Sequence, residues 1–227
     1  MSLDERPWLM GRPAILMAGG ATAAIAILFQ IRPEIDRMVA AAMWRLHAIP
    51  ALRAIGDAEP AAMSVAVALF AGLLVFAFLS LLLRWKLHKE RLRALLFILA
   101  TFAIGPGLIV NVVLKDHWGR PRPVHTVELG GTAAFVPVLE TSRECGQNCS
   151  FVSGDVSAAI AFLAVAMLLP PIPRRWASVG ILLLAVAIGA TRMVVGAHFL
   201  SDLLLAAGFT ILVMQICYRL IMLRRSG

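Results

Sequence analysis

The sequence predicts an all-α membrane protein: a bundle of six transmembrane helices with one amphipathic helix lying in the outer interface. Three observations carry that expectation. Of the 227 residues, 60% are apolar and only 15% charged, against roughly 45–50% and 25% in soluble domains. Six apolar runs reach or approach the ~20 residues that cross a hydrocarbon core. The segments between them are rich in Arg and Lys, as loops flanking membrane helices are. A helical bundle of this size forms a single core, so residues 1–227 count as one domain. The net charge of +8 serves topology first. A single Tyr among few aromatics offers no base-stacking platform, so the bilayer is the expected partner and nucleic acid is not.

Taken in order, residues 1–12 are a polar tail with Arg6 and Arg12. The first span, 13–31, lacks a small-residue exit and is not read as a cleaved signal peptide. In 34–54, Ile35, Met38, Val39, Ala42, Met43, Leu46 and Ile49 recur at helical spacing, while Arg37, Arg45 and Arg53 fall elsewhere. That pattern predicts an amphipathic helix in the membrane interface. The alternative, packing on a soluble subdomain, lacks other residues to build one.

The second span is 60–83. Next, 84–93 carries five bases against one acid. The third span, 94–114, contains Gly105-Pro106-Gly107, where a kink is expected. A long polar loop, about 115–153, follows. The remaining spans are 151–169, 176–192 and 200–222.

With the N-terminus inside, the inner segments hold Arg6, Arg12, Arg84, Lys86, Lys89, Arg91, Arg93, Arg174, Arg175, Arg219, Arg224 and Arg225. The outer side holds nine bases, of which Lys115, Arg120, Arg122 and Arg192 belong to the candidate site. The positive-inside rule then puts both termini in the cytoplasm and the polar loop outside. A bridge between Cys145 and Cys149 fits an oxidising compartment, with two free thiols as the alternative. Their spacing, with His117 and His125 nearby, matches no zinc pattern, so no metal or cofactor is expected.

Three chemical pieces share that outer face. Lys115 ends span three, and Arg122 follows seven residues later. Ser153, Gly154 and Asp155 open span four. Arg192 ends span five, and His198 and Asp202 lie at the start of span six. Arg grips phosphate oxygens bidentately and Lys adds a mobile charge. A helix N-terminus opened by Ser and Gly offers amides to an anion, and Gly allows close backbone approach. His198 and Asp202 are four apart on one helix face. There a carboxylate can hold the imidazole N–H and present the other nitrogen as a nucleophile. The pieces together predict metal-free chemistry through a phosphohistidine. Singly, each has a plainer reading: an Arg-Pro loop anchor, an ordinary helix start, a capped helix with a hydrogen-bonded His.

The motifs in this order resemble the type-2 phosphatidic acid phosphatase superfamily. K-x6-R-P matches Lys115, Arg122 and Pro123; P-S-G-H appears as Val152-Ser153-Gly154-Asp155; S-R-x5-H-x3-D appears as Thr191, Arg192, His198 and Asp202. The resemblance implies His198 as nucleophile and Asp202 as its partner. It likewise implies that Lys115, Arg122, Ser153, Gly154 and Arg192 hold the phosphate. The His that Asp155 replaces is the family's general acid. An aspartic acid can take that role only where burial or a like charge raises it above its ordinary value of about 3.9, and the cationic cluster works against that. A diphosphate leaving group, needing little protonation, is one way out; contact of Asp155 with a substrate amine or hydroxyl is another. N-C-S-F-V-S-G-D also resembles the branch that dephosphorylates lipid A, where an acidic residue can replace that His.

The expectation is therefore a lipid phosphate phosphatase of the bacterial inner membrane, acting at the periplasmic face, with lipid A favoured. Polyprenyl diphosphate and phosphatidylglycerophosphate are alternative substrates. Phosphotransfer to a second lipid and non-catalytic binding of a lipid phosphate are alternative functions.

Overall fold

A computed structural model describes residues 10–83 and 89–223. The basic residues Arg84 and Lys86, the tail residue Arg6 and the terminal Arg224 and Arg225, all counted on the inner side, lie outside the described residues. Among the described residues there is no strand, only one isolated bridge between Thr126 and Ala133. The helices are α1 (Arg12–Ile31), α2 (Glu34–Leu46), α3 (Pro50–Leu83), α4 (Lys89–Phe102), α5 (Gly154–Ala161), α6 (Leu163–Ala166), α7 (Pro171–Val194) and α8 (Leu200–Ile221). From α4 the chain continues without a break into a π-helical stretch, Ala103–Leu114, and one further turn, Lys115–His117.

Five of these segments, Arg12–Ile31, Pro50–Leu79, Lys89–His117, Pro171–Val194 and Leu200–Ile221, are long and apolar enough to cross a membrane. Leu16, Met17, Val65, Leu183 and Val186 stand exposed along them, as side chains facing lipid do. The chain is a multi-pass membrane protein.

The structure departs from the sequence reading in several places. The segment 151–169, expected as a fourth span, forms the shorter α5 and α6, separated at Phe162. The amphipathic helix expected over 34–54 ends at Leu46. Residues 50–54 instead begin α3, because Pro disfavours helix in the residue before it and suits a first turn. Nor does α2 float on its polar face: Asp36 is buried. The Gly-Pro-Gly of span three produces a change of winding, with the Asn111 side chain donating to the Pro106 carbonyl at 2.8 Å.

α8 is the most buried of the five and forms the axis of the bundle. α1 lies close against it at Gly208, where a Cβ would come 2.5 Å from Thr22 Oγ1; small residues permit such approach in membrane bundles. α5 joins it through Ser157 Oγ and Thr210 Oγ1, 2.7 Å apart. Phe97 meets Tyr218 edge-on at 5.3 Å. This packing brings the end of the π-helical stretch, the starts of α5 and α8 and the end of α7 together at the polar loop.

Candidate active site

The loop is tied down by its own backbone and one disulfide. Trp118 stacks on Phe151 at 4.6 Å and its Nε1 donates to the Val138 carbonyl at 3.0 Å. Ser150 N–H donates to the Arg120 carbonyl at 2.9 Å and Cys149 N–H to the Lys115 carbonyl at 3.2 Å. Cys145 and Cys149 are bridged, their Cα atoms 5.7 Å apart. The Asn148 carbonyl, inside that small ring, accepts from Arg122 Nη2 at 3.0 Å and Nε at 3.2 Å.

His198 is buried in the turn between α7 and α8. Its Nδ1 lies 2.7 Å from the Ser150 carbonyl, which can only accept. The proton therefore sits on Nδ1, and Nε2 keeps its lone pair. Burial holds the imidazole well below its ordinary range, and the charges of Lys115, Arg122 and Arg192 push in the same direction. The ring is neutral near pH 7, as a nucleophile must be.

Asp202 was expected to hold the imidazole N–H, but its Oδ2 is 3.9 Å from Nδ1. Its oxygens are taken elsewhere: Oδ1 by Arg120 Nη1 at 2.6 Å, Oδ2 by Ser150 Oγ at 2.5 Å and by the Phe199 N–H at 2.9 Å. Asp202 thus fixes Ser150 and the start of α8, and the Ser150 carbonyl orients the imidazole.

Arg120 is wholly buried. Its Nη2 reaches Asp36 Oδ2 at 2.9 Å, Nη1 also reaches Ser201 Oγ at 2.8 Å, and Nε donates to the Val136 carbonyl at 2.9 Å. Its guanidinium lies 4.4 Å from the Phe199 ring centroid. One residue of the polar loop thereby joins α2 to α8.

At the start of α5, Ser153 is buried, and its Oγ accepts from the Val156 N–H at 3.4 Å as the helix cap. A Cβ on Gly154 would come 2.7 Å from Asn111 Oδ1 and 3.1 Å from Lys115 Nζ, so only glycine lets the lysine lie this close. Arg192 enters from the end of α7. Its Nη1 donates to the Gly56 carbonyl at 3.1 Å, and its Nε stands 3.3 Å from Asp155 Oδ2. Burial and the neighbouring Arg192 lower Arg122 from its usual range, with Asp155 opposing. The structure therefore gathers Lys115, Arg122, Gly154, Asp155, Arg192 and His198 at one place. Ser153 caps α5 there, and Asp202 holds Ser150, Arg120 and the start of α8.

Sequence reasoning passed over Ser150, Asp36, Asn111 and Glu59. Asp36 and Glu59 carried one available signal, an acid inside an apolar helical segment. Ser150 carried none, because its carbonyl and hydroxyl act by position.

Two cavities open on this cluster. One, about 620 Å³, runs between α3 and the α4–π segment, lined by Met63, Val67, Phe70, Leu74 and Phe102, and reaches Lys115, Gly154 and Asp155 at one end. The other, about 280 Å³, is bounded by Asp57, Arg122, His125 and Arg192.

Residues 94–226 match the model of the PAP2 superfamily. Three curated relatives, each named lipid A 4'-phosphatase, are similar to the chain. That of Rhizobium leguminosarum is 39% identical over 118 residues, 52% of this chain and 51% of the relative. That of Francisella tularensis subsp. novicida is 38% identical over 129 residues, 56% and 58% of the two chains. That of Rhizobium etli is 43% identical over 119 residues, 52% and 46%. The matched region spans about half the length of these relatives. No solved structure matches the chain. With the matched region running from α4 through α8 and enclosing the gathered cluster, the chain belongs to the PAP2 superfamily.

Proposed function

We propose that the protein is a membrane lipid phosphate phosphatase that removes a phosphate from lipid A, the 4'-phosphate being favoured. The observation that carries this reading is His198: a neutral imidazole with Nδ1 on the Ser150 carbonyl, surrounded by Lys115, Arg122 and Arg192. The apolar cleft reaching Lys115 and Gly154 supports a substrate with hydrocarbon chains. The names of the three relatives favour lipid A among such substrates.

In the mechanism, the phosphate is held by Lys115, Arg122, Arg192 and the amides opening α5. His198 Nε2 attacks phosphorus as the bond to the lipid oxygen breaks. The cations neutralise charge on the equatorial oxygens, which is the main electrostatic contribution in phosphoryl transfer. Water then cleaves the phosphohistidine and restores the imidazole. Asp155, 3.3 Å from Arg192 Nε, would supply the proton to the leaving oxygen.

The reading includes an inner-membrane location, six spans, both termini in the cytoplasm and a site facing the periplasm. The Cys145–Cys149 bridge supports the oxidising side for the loop. α5 and α6 are short for a span, but α5 is buried almost throughout and so needs no lipid-facing length. The α2 helix would border the lipid headgroup.

The test is phosphate release by the purified protein from lipid A, polyprenyl diphosphate, phosphatidylglycerophosphate and phosphatidic acid, with His198→Ala in parallel. Release from lipid A that vanishes in His198→Ala is expected. Undiminished release in His198→Ala would sink the mechanism. Release only from another lipid would replace the substrate.

A further inference from the structure

Glu59 is a carboxylate in the body of an apolar helix, three residues past Gly56 in α3. Its side chain is only 13% exposed, and neither oxygen has a hydrogen-bond partner. Oε2 lies 3.7 Å from Arg192 Nε. The same Nε is 3.3 Å from Asp155 Oδ2, while Nη1 of that guanidinium is committed to the Gly56 carbonyl. Carboxylates from two helices thus converge on one edge of one guanidinium.

Burying a carboxylate without donors disfavours its charged form, and a like charge nearby disfavours it further. Arg192 is the cation that both carboxylates approach, at one nitrogen, Nε. Two carboxylates meeting on one edge of a guanidinium can hold one proton between them. A donor is also what the cluster requires, since Asp155 stands where the superfamily's second motif carries its His.

We propose that Glu59 and Asp155 share one proton across Arg192, and that Asp155 delivers it to the leaving-group oxygen. Glu59 is the positioning residue that keeps the proton on the pair. This rests on the phosphatase reading above. In the first step the Nε2–P bond forms and the P–O bond to the lipid breaks. The lipid oxygen takes the shared proton and leaves as an alcohol, and both carboxylates are then ionised. In the second step water forms a P–O bond as the P–N bond breaks, and the pair recovers a proton from that water. The sum is phosphomonoester plus water giving alcohol plus phosphate.

The groups acting on the pair are Arg192 from α7 and, around Asp155, Lys115 and Arg122. On the same helix Asp57 lies against Arg53 at 3.7 Å, with both side chains at the surface.

The experiment compares lipid A with p-nitrophenyl phosphate, whose leaving group departs without a proton. Wild type, Glu59→Gln, Glu59→Asp and Asp155→Asn are assayed across pH. In Glu59→Gln the ratio of lipid A rate to p-nitrophenyl phosphate rate is expected to fall about tenfold or more, since general acids contribute roughly 10²–10⁴. The alkaline limb of its lipid A profile is expected to move to lower pH, because the second carboxylate no longer helps hold the proton. Glu59→Asp should restore part of the ratio, and Asp155→Asn should lose more of it than Glu59→Gln. Equal losses on both substrates, or an alkaline limb that stays in place, overturn the shared proton while leaving the phosphatase reading intact. Absence of turnover of either substrate by wild type overturns the phosphatase reading, and the shared proton with it.

Discussion

Arg120 Nη1 lies 2.6 Å from Asp202 Oδ1 in the interior of the bundle, and Nη2 of the same guanidinium holds Asp36 at 2.9 Å. Through this pair the amphipathic helix is fastened to the residue that fixes Ser150, and hence to the carbonyl that orients His198. Removing one partner of a buried ion pair typically costs about 3–5 kcal/mol, because a charge is left without compensation. Arg120→Met strands two carboxylates. It should lower unfolding stability in detergent by that order and cut kcat as Ser150 relaxes. Asp36→Asn, which removes one of the two acids, should cost less in both measurements. Equal stability of wild type and Arg120→Met in denaturant titrations would contradict the linkage.

His198 makes a pH prediction with a definite sign. Its folded-state value is lowered well below the ordinary 6.5, so the neutral, nucleophilic form persists into mildly acidic solution. The acidic limb of kcat/KM should therefore lie below pH 6.5. Arg122→Gln removes one repelling charge and should move that limb upward while raising KM. The same shift acts on stability: below the unfolded value the unfolded chain binds a proton that the folded chain does not. Stability from this group is complete above about pH 6.5 and declines as pH falls beneath it. An acidic limb above 6.5 in wild type would refute the dominance of burial and the neighbouring cations over this imidazole.

Gly154→Ala tests the close approach of Lys115. The added methyl would sit 2.7 Å from Asn111 Oδ1 and 3.1 Å from Lys115 Nζ, displacing the lysine from the head of α5. Misplacement of a binding group by about 1 Å can cost on the order of 10²-fold. A loss of that size in kcat/KM, with thermal stability nearly unchanged, is expected; retention of wild-type rates would count against Lys115 as a phosphate ligand.

The disulfide should matter to function as much as to stability. It closes a ring of only a few residues, for which the chain-entropy argument gives about 2 kcal/mol. The Asn148 carbonyl in that ring accepts from Arg122. Changing Cys145 and Cys149 to Ser together should raise KM as Arg122 loses its rest. Unaltered KM in the double variant would disconnect the ring from the site.

Treatment with EDTA should leave phosphate release unchanged, because the proposed mechanism meets the phosphate charge with Lys115, Arg122 and Arg192. Loss of activity on chelation, restored by a divalent ion, would require a different mechanism.

The amino-acid sequence by itself determined that this chain lies in a membrane, since its long apolar runs can satisfy their backbones there only as helices. It also singled out the cations, the glycine and the histidine that the structure brings together, because residue type and motif order are legible locally. What only the tertiary structure decided was how those groups are held. That the Ser150 carbonyl, and not Asp202, accepts from the imidazole goes with Asp202 Oδ2 being held by Ser150 Oγ and the Phe199 N–H while Arg120 claims Oδ1. That Arg120 does so depends on Asp36, 84 residues away in the chain. The extent of α2 and the short α5–α6 were likewise settled by packing, because a buried segment need not reach across the bilayer on its own length. Hydrophobic period and motif spacing are local quantities. Partnership among buried charges is set by which helix ends meet, and helix ends distant in sequence meet only when the bundle closes.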